Sequence, residues 1–213
     1  SAGTLALGAS NAISNTTSLS LGSGATLSLG GTSSVLVNVL NFNSSTVDFG
    51  TTGSTNHFLF NSAGTNSGTL TIANWTSGTD VFGVATNSVS QSFLDNLYFS
   101  NLNVGIGAVL SASPISVGGY GNFYTLAPIP TFTWDGGQSS GPVASQDDWS
   151  QAGNWTGNIA PAVGAMKAIV MAGSARLAND MNGAYQVNSL LFRSDAGAFT
   201  LSSSTSDTLT VGG

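Results

Sequence analysis

The chain has 213 residues and carries nine acidic side chains, all aspartate, against two arginines and one lysine, for a net charge of −6. Charged residues are 6 % of the total, against about a quarter in an ordinary soluble domain. Three cations cannot form a basic stripe, which excludes nucleic-acid binding. The lack of cysteine and the single histidine, His57, exclude thiol catalysis, iron–sulfur clusters and ordinary structural zinc.

No run of 18 apolar residues exists, so no helix is expected to span a bilayer. No signal peptide begins at Ser1, so an exported chain is expected to be a mature or trimmed form. The chain is also too apolar to be disordered. Hydrophobic residues are 41 %, with eleven Phe, four Trp and four Tyr, enough for a core. Few charges leave little self-repulsion to keep copies apart. The composition therefore points to a protein outside the cell for which association is the purpose.

In chain order, the first elements are a short repeat. Thr4-Leu5-Ala6-Leu7-Gly8, Ser18-Leu19-Ser20-Leu21-Gly22 and Thr26-Leu27-Ser28-Leu29-Gly30 are near copies, and Thr69-Leu70-Thr71-Ile72-Ala73 repeats the pattern. Small polar and aliphatic residues alternate, so the aliphatics share one strand face. The trailing Gly lets the backbone turn. Val35 to Leu40 reads as a strand buried on both faces, and His57–Phe60 and Leu97–Phe99 read as further strands. Ser90–Asn96 is the one helical stretch, with Ser90 or Ser92 as its cap. Ala127-Pro128-Ile129-Pro130 cannot continue a ladder, which divides the chain into a first β module, 1–130, and a second, 131–213. The second opens with Trp-rich loops and continues with strands at Ala168–Met171 and Ala198–Leu201. It ends in Thr208-Leu209-Thr210-Val211-Gly212-Gly213, which joined to Ser1 would read as one uninterrupted repeat. The fold class is all-β with very little helix, either a β-solenoid (β-helix-like) or β-sandwich modules.

Thr133-Trp134-Asp135-Gly136-Gly137, Asp148-Trp149-Ser150, Gly153-Asn154-Trp155-Thr156-Gly157 and Ala160-Pro161 resemble the opening of bacterial autotransporter-associated β-strand repeat proteins. Asn188–Phe192 and Ala198–Leu201 resemble that family's first strands, and Ser1–Gly31 a later rung. Residues 68–130 are similar to the C-terminal part of such proteins when exported in the PEP-CTERM manner, without the sorting tail. The resemblance covers about two thirds of the chain. It implies an exported, β-helical bacterial surface protein and no catalytic residues. The late part precedes the opening part here, which suits a subunit whose tail extends the β structure of the next.

The candidate sites follow. Leu5 and Leu7 at the front and Leu209 and Val211 at the back are the expected subunit interface of a homopolymer grown by β-strand addition. Trp134, Trp149 and Trp155 are expected either to seal the end of a β-helix or to stack on surface glycans. Asp135, Asp147 and Asp148, with Asn154, are the calcium candidates, with loop capping as the competing role. No other cofactor is implied. Lys167, beside an apolar strand, is a candidate for an isopeptide crosslink, although the usual buried Glu is absent. The function expected is a non-enzymatic filament or matrix subunit at the bacterial surface. The alternatives are a carbohydrate-binding or adhesive module and a β-helical polysaccharide-active enzyme.

Overall fold

The computed structural model describes residues 2–30, 34–50, 55–102, 107–137, 147–164, 166–203 and 207–211. Strand makes up 49 % and helix 4 % of the chain, and the topology is a β-solenoid. The strands stack as rungs in parallel ladders, so the sandwich alternative falls away. The chain divides into two compact units, with the boundary between Pro128 and Ile129.

The first unit contains β1 (Thr4–Ala6), β2 (Ser18–Leu21), β3 (Thr26–Ser28), β4 (Ser34–Asp48), β5 (His57–Ala73) and β6 (Val81–Val84). A short helix α1 (Gln91–Asp95) follows, then β7 (Leu97–Phe99), β8 (Ala108–Leu110), β9 (Ile115–Val117) and β10 (Gly121–Pro128). Ser90 caps α1 by accepting the Phe93 N–H at 3.3 Å.

β4 explains the winding. Its buried apolar residues are Val35 and Val37, then Leu40 and Phe42, then Val47. The inward parity flips from odd to even and back to odd. A strict period of 2 cannot do that without a corner. The flips fall at Asn38–Val39 and Asn43–Ser44, and Ser44 has a φ of 40°. One 15-residue strand therefore runs along three faces. The first face carries β1, β3, Thr46–Asp48, Thr71–Ile72 and β7. The second carries Ser34–Val37, His57–Phe60 and β6. The third carries β2, Val39–Phe42 and Ser62–Asn66. Polar side chains hold the outer corners: Asn41 Oδ1 accepts the Thr65 N–H at 2.8 Å.

The interior is filled rung upon rung. Phe82 lies 5.8 Å from Phe58 and 5.5 Å from Phe60, and Phe60 lies 5.7 Å from Phe93. A smaller core sits outside the second face, where Leu59 meets Val117 and Phe123 of the β9–β10 hairpin. β10 pairs antiparallel with β6 and so covers that edge. Gly83 permits the approach, because a Cβ there would lie 3.2 Å from both Leu59 Cδ2 and Phe123 Cβ. At the hairpin turn, the Tyr120 hydroxyl lies 3.0 Å from Asn11 Oδ1 and 3.3 Å from the Ser34 carbonyl oxygen. That contact ties the hairpin to the first rung.

The second unit contains β11 (Thr131–Trp134), β12 (Met166–Met171), β13 (Ala178–Asp180), β14 (Tyr185–Phe192), β15 (Thr200–Ser202) and β16 (Leu209–Val211). β11, β12, β14 and β16 form one parallel sheet, and β13 pairs with β15.

Two stability changes are expected. Phe82→Ala should cost about 3–5 kcal/mol, the usual loss for a large buried aromatic. Tyr120→Phe should cost about 1 kcal/mol, one hydrogen bond's worth. Denaturant midpoints measure both, and an unchanged Tyr120→Phe midpoint would remove the hairpin contact from the account.

Candidate functional site

Among the described residues, each unit leaves a rung open. On the first face, Leu27, Val47, Ile72 and Phe99 form an inward column and are all 0 % exposed. Leu5 pairs with Leu27 in the same column and is 53 % exposed. The difference has one cause. β1 has β3 on one side and, among the described residues, no strand on the other. The Thr26 N–H donates to the Gly3 carbonyl at 2.9 Å, and the Leu7 N–H donates to the Ser28 carbonyl at 2.8 Å. Residues 3, 5 and 7 thus face β3. The alternation of a parallel ladder leaves the N–H and C=O of Thr4 and Ala6 on the free edge. Leu7 differs from Leu5. It lies past the end of β1 and is buried in its own unit's core, so it is not available as an exposed contact.

The second unit has the matching feature. Val211 is 58 % exposed, although its ladder partner Val187 is fully buried. Leu209 is half-buried beside Tyr185. The Tyr185 N–H donates to the Thr208 carbonyl at 2.9 Å, which turns Thr208 and Thr210 toward β14 and leaves the backbone groups of Leu209 and Val211 on the outer edge. Leu191 and Phe192, at the end of β14, are also exposed. Ser1, Gly31, Gly212 and Gly213, which belong to the expected repeats and tail-to-head join, lie outside the described residues.

The tryptophans are interior. Trp134, Trp149 and Trp155 are 0, 0 and 1 % exposed. Trp155 stands edge-on to Trp134 at 5.2 Å and to Trp149 at 5.6 Å, and Trp149 meets Tyr185 at 5.0 Å. Each indole N–H finds an acceptor: Trp155 donates to the Trp149 carbonyl at 2.8 Å, Trp149 to Asn179 Oδ1 at 3.3 Å, and Trp134 to the Ala175 carbonyl at 3.4 Å. Stacking on a pyranose needs an open ring face, and these rings have none. They fill the unit's first rung, around β11 and the Asp148–Asp180 bridge. Lys167 is buried with them, its Nζ 5.4 Å from the centre of the Tyr185 ring, and burial pushes its pKa down.

The aspartates proposed for calcium serve the loops. Asp135 accepts the Gly137 N–H at 3.0 Å and the Thr156 hydroxyl at 3.2 Å. Asp147 pairs with Arg176 at 3.4 Å. Asp148 lies in a parallel bridge with Asp180, and burial, then Asp180, then Asp147 push its carboxyl pKa up. Among the described residues, no group of three or more His, Cys, Asp or Glu is placed to hold a metal ion.

His57 Nδ1 lies 3.1 Å from Ser34 Oγ across two rungs, and burial lowers its pKa against the opposing pull of Asp80. A buried polar corner was not legible in the sequence. Asp80 accepts the Asn56 N–H at 3.0 Å and the Thr76 N–H at 2.8 Å, while Asn56 Nδ2 donates to the Phe49 carbonyl at 2.8 Å. The only local sign of it is an Asx residue directly before each apolar run.

Compared with family models, curated proteins and solved structures, the chain finds no match.

A raised carboxyl pKa means that ionisation of Asp148 opposes folding. The penalty is absent below the ordinary carboxylate value of 3.8 and is complete above the raised folded value. Asp148→Asn mimics the protonated form. It should be more stable than the parent at pH 7 and equal to it at about pH 3. Equal denaturation midpoints at pH 7 would contradict this.

Proposed function

We propose that the protein is a non-enzymatic structural subunit that joins identical copies head to tail, by adding β-strands, into a filament or matrix at the bacterial surface. The observation that carries the proposal is Leu5. It belongs to a column whose other members are completely dry, and it is exposed only because the ladder stops at β1. β16 presents the complementary case, with Val211 uncovered above a buried Val187. Among the described residues, both edges offer N–H and C=O groups without a strand partner, in the orientation of a parallel ladder.

The two open edges are different surfaces, so the contact is heterologous and a non-closing rotation extends it indefinitely. Little charge must be desolvated, since only 6 % of the residues are charged. The export and surface location rest on the likeness of Thr133–Gly157 to autotransporter-associated repeats. A single three-residue strand contributes only a few hydrogen bonds, each worth about 0.5–1.5 kcal/mol. Association costs at least about 4 kcal/mol in lost motion. A durable junction therefore has to engage a whole rung.

Leu5→Asp tests the reading. The side chain is exposed in the single copy, so the variant should fold with an unchanged melting temperature. In the assembly it would bury an unpaired charge, so filaments seen by negative-stain electron microscopy should disappear. Filaments of normal length from Leu5→Asp would contradict the proposal. So would a native chain longer than these 213 residues whose additional rungs cover both edges.

A further inference from the structure

Where one solenoid stacks on another, the faces must meet in winding order. Along the first unit the chain passes from the first face to the second, straight into the third, and back to the first. The second-to-third step takes neither a loop nor a left-handed residue: Val37 pairs on the second face, Val39 on the third, and only Asn38 lies between, whereas the third-to-first step of β4 and β5 passes through Ser44 and Gly68, at φ of 40° and 65°. The second unit contains the same step. Val187 pairs with β16, and Ser189 already pairs with β12 one rung back, with only Asn188 between. The preceding rung makes it at Lys167/Ala168, where the register shifts. The start of β14 and its partner β16 are therefore second-face strands. The end of β14 is a third-face strand. β13 and β15, which follow the third face, are first-face strands. β1 is also a first-face strand, and β16 is not.

We infer that β1 of one copy is received by β15 of its neighbour, and that β16 lies on the second face of the same rung, so that one rung is composed from two chains. This rests on the head-to-tail reading above and fixes which strands carry it. The backbone groups agree. The Thr200 N–H donates to the Leu177 carbonyl at 2.7 Å, and the Met181 N–H donates to the Ser202 carbonyl at 2.8 Å. Residues 200 and 202 thus face β13, and the N–H and C=O of Leu201 lie on the free edge. β1 offers the Thr4 carbonyl and the Ala6 N–H. The Leu201 N–H donates to the first, and the Leu201 carbonyl accepts from the second. Leu201 then stands opposite Leu5, Thr200 opposite Thr4 and Ser202 opposite Ala6.

The side chains agree as well. Thr200-Leu201-Ser202 repeats Thr26-Leu27-Ser28, the strand that β1 already pairs with inside its own unit. Leu201 packs against the second unit's core and is still partly open. Covering it with Leu5 joins two inward columns into one. β16 comes to rest over the segment Ser10–Ile13 of the next copy, where the Asn11 N–H is bonded to the Ser34 carbonyl at the start of the second face. That arrangement covers Leu209 and Val211. Pairing β16 directly with β1 satisfies the same hydrogen-bond alternation, with Leu209 opposite Leu5. It places a second-face strand on the first face, however, and breaks the winding order.

Cysteine pairs distinguish the two. The chain has no cysteine, so every disulfide is an engineered one. Facing residues on neighbouring strands lie about 4.8 Å apart, within the Cα separation of about 4.4–6.8 Å that a disulfide spans. Thr4, Thr200 and Thr208 are all exposed. Filaments of Thr4→Cys/Thr200→Cys, mildly oxidised and run on a denaturing gel without reductant, should give a ladder of dimers, trimers and higher species and lose most of the monomer band. Filaments of Thr4→Cys/Thr208→Cys should run as monomers. An equimolar mixture of the two single variants Thr4→Cys and Thr200→Cys should stop at dimers. A ladder from the Thr208 pair would overturn the assignment to β15 and leave strand addition standing. Filaments of the Thr200 pair that remain monomeric on the gel would also overturn it. If the unmodified protein forms no filaments, the head-to-tail reading itself fails.

Discussion

The parallel backbone ladder is the constraint on which the rest depends. Each strand of a solenoid rung has two edges, and every buried N–H and C=O must find a partner. Inside each unit the next rung supplies it, and the same stacking drives the inward side chains into columns. Leu27, Val47, Ile72 and Phe99 are dry because strands lie above and below them. A rung without a neighbour fails on both counts at once: its edge groups lose their partners and its inward side chain meets water. Leu5 and Val211 mark those places.

The protein treats its edges unequally. In the first unit, the second face ends under an antiparallel strand, β10, with the glycine at 83 giving it room to approach. In the second unit, the first rung is filled by three tryptophans whose indole N–H groups are all bonded. Antiparallel pairing stops a parallel ladder on that face, because β10 takes up the edge groups of β6. β1 and β16 have no such cover among the described residues. Their aliphatic alternation with Thr and Ala continues the internal repeat, and it is this continuity that the proposed strand addition would use. The near absence of charge removes one of the ordinary protections of an edge strand.

Much of this was legible in the residues. The Thr-Leu-Ser repeats announce short strands with one apolar face, and they stack as that pattern requires. The corners were harder. Val35 to Leu40 reads as a strand apolar on both faces, yet Val37 and Leu40 are both inward because the chain bends between them. Parity shifts of this kind are visible only once a strand is known to turn. The tryptophans were legible as large apolar groups, and two roles stood open for them. Burial decided for the interior, because only the three-dimensional arrangement brings Trp149 against Tyr185, 36 positions along the chain. Leu7 reads as the twin of Leu5 in sequence. Leu7 lies one residue past the end of β1 and is in the core.

Fibre X-ray diffraction from aligned filaments of the purified protein tests the central claim most directly. A ladder continuous from copy to copy, with its rungs stacked along the filament, predicts a meridional reflection at about 4.8 Å, the spacing between paired strands. The same reflection on the equator, or a preparation that stays dispersed as single compact particles and yields no fibre, would contradict it.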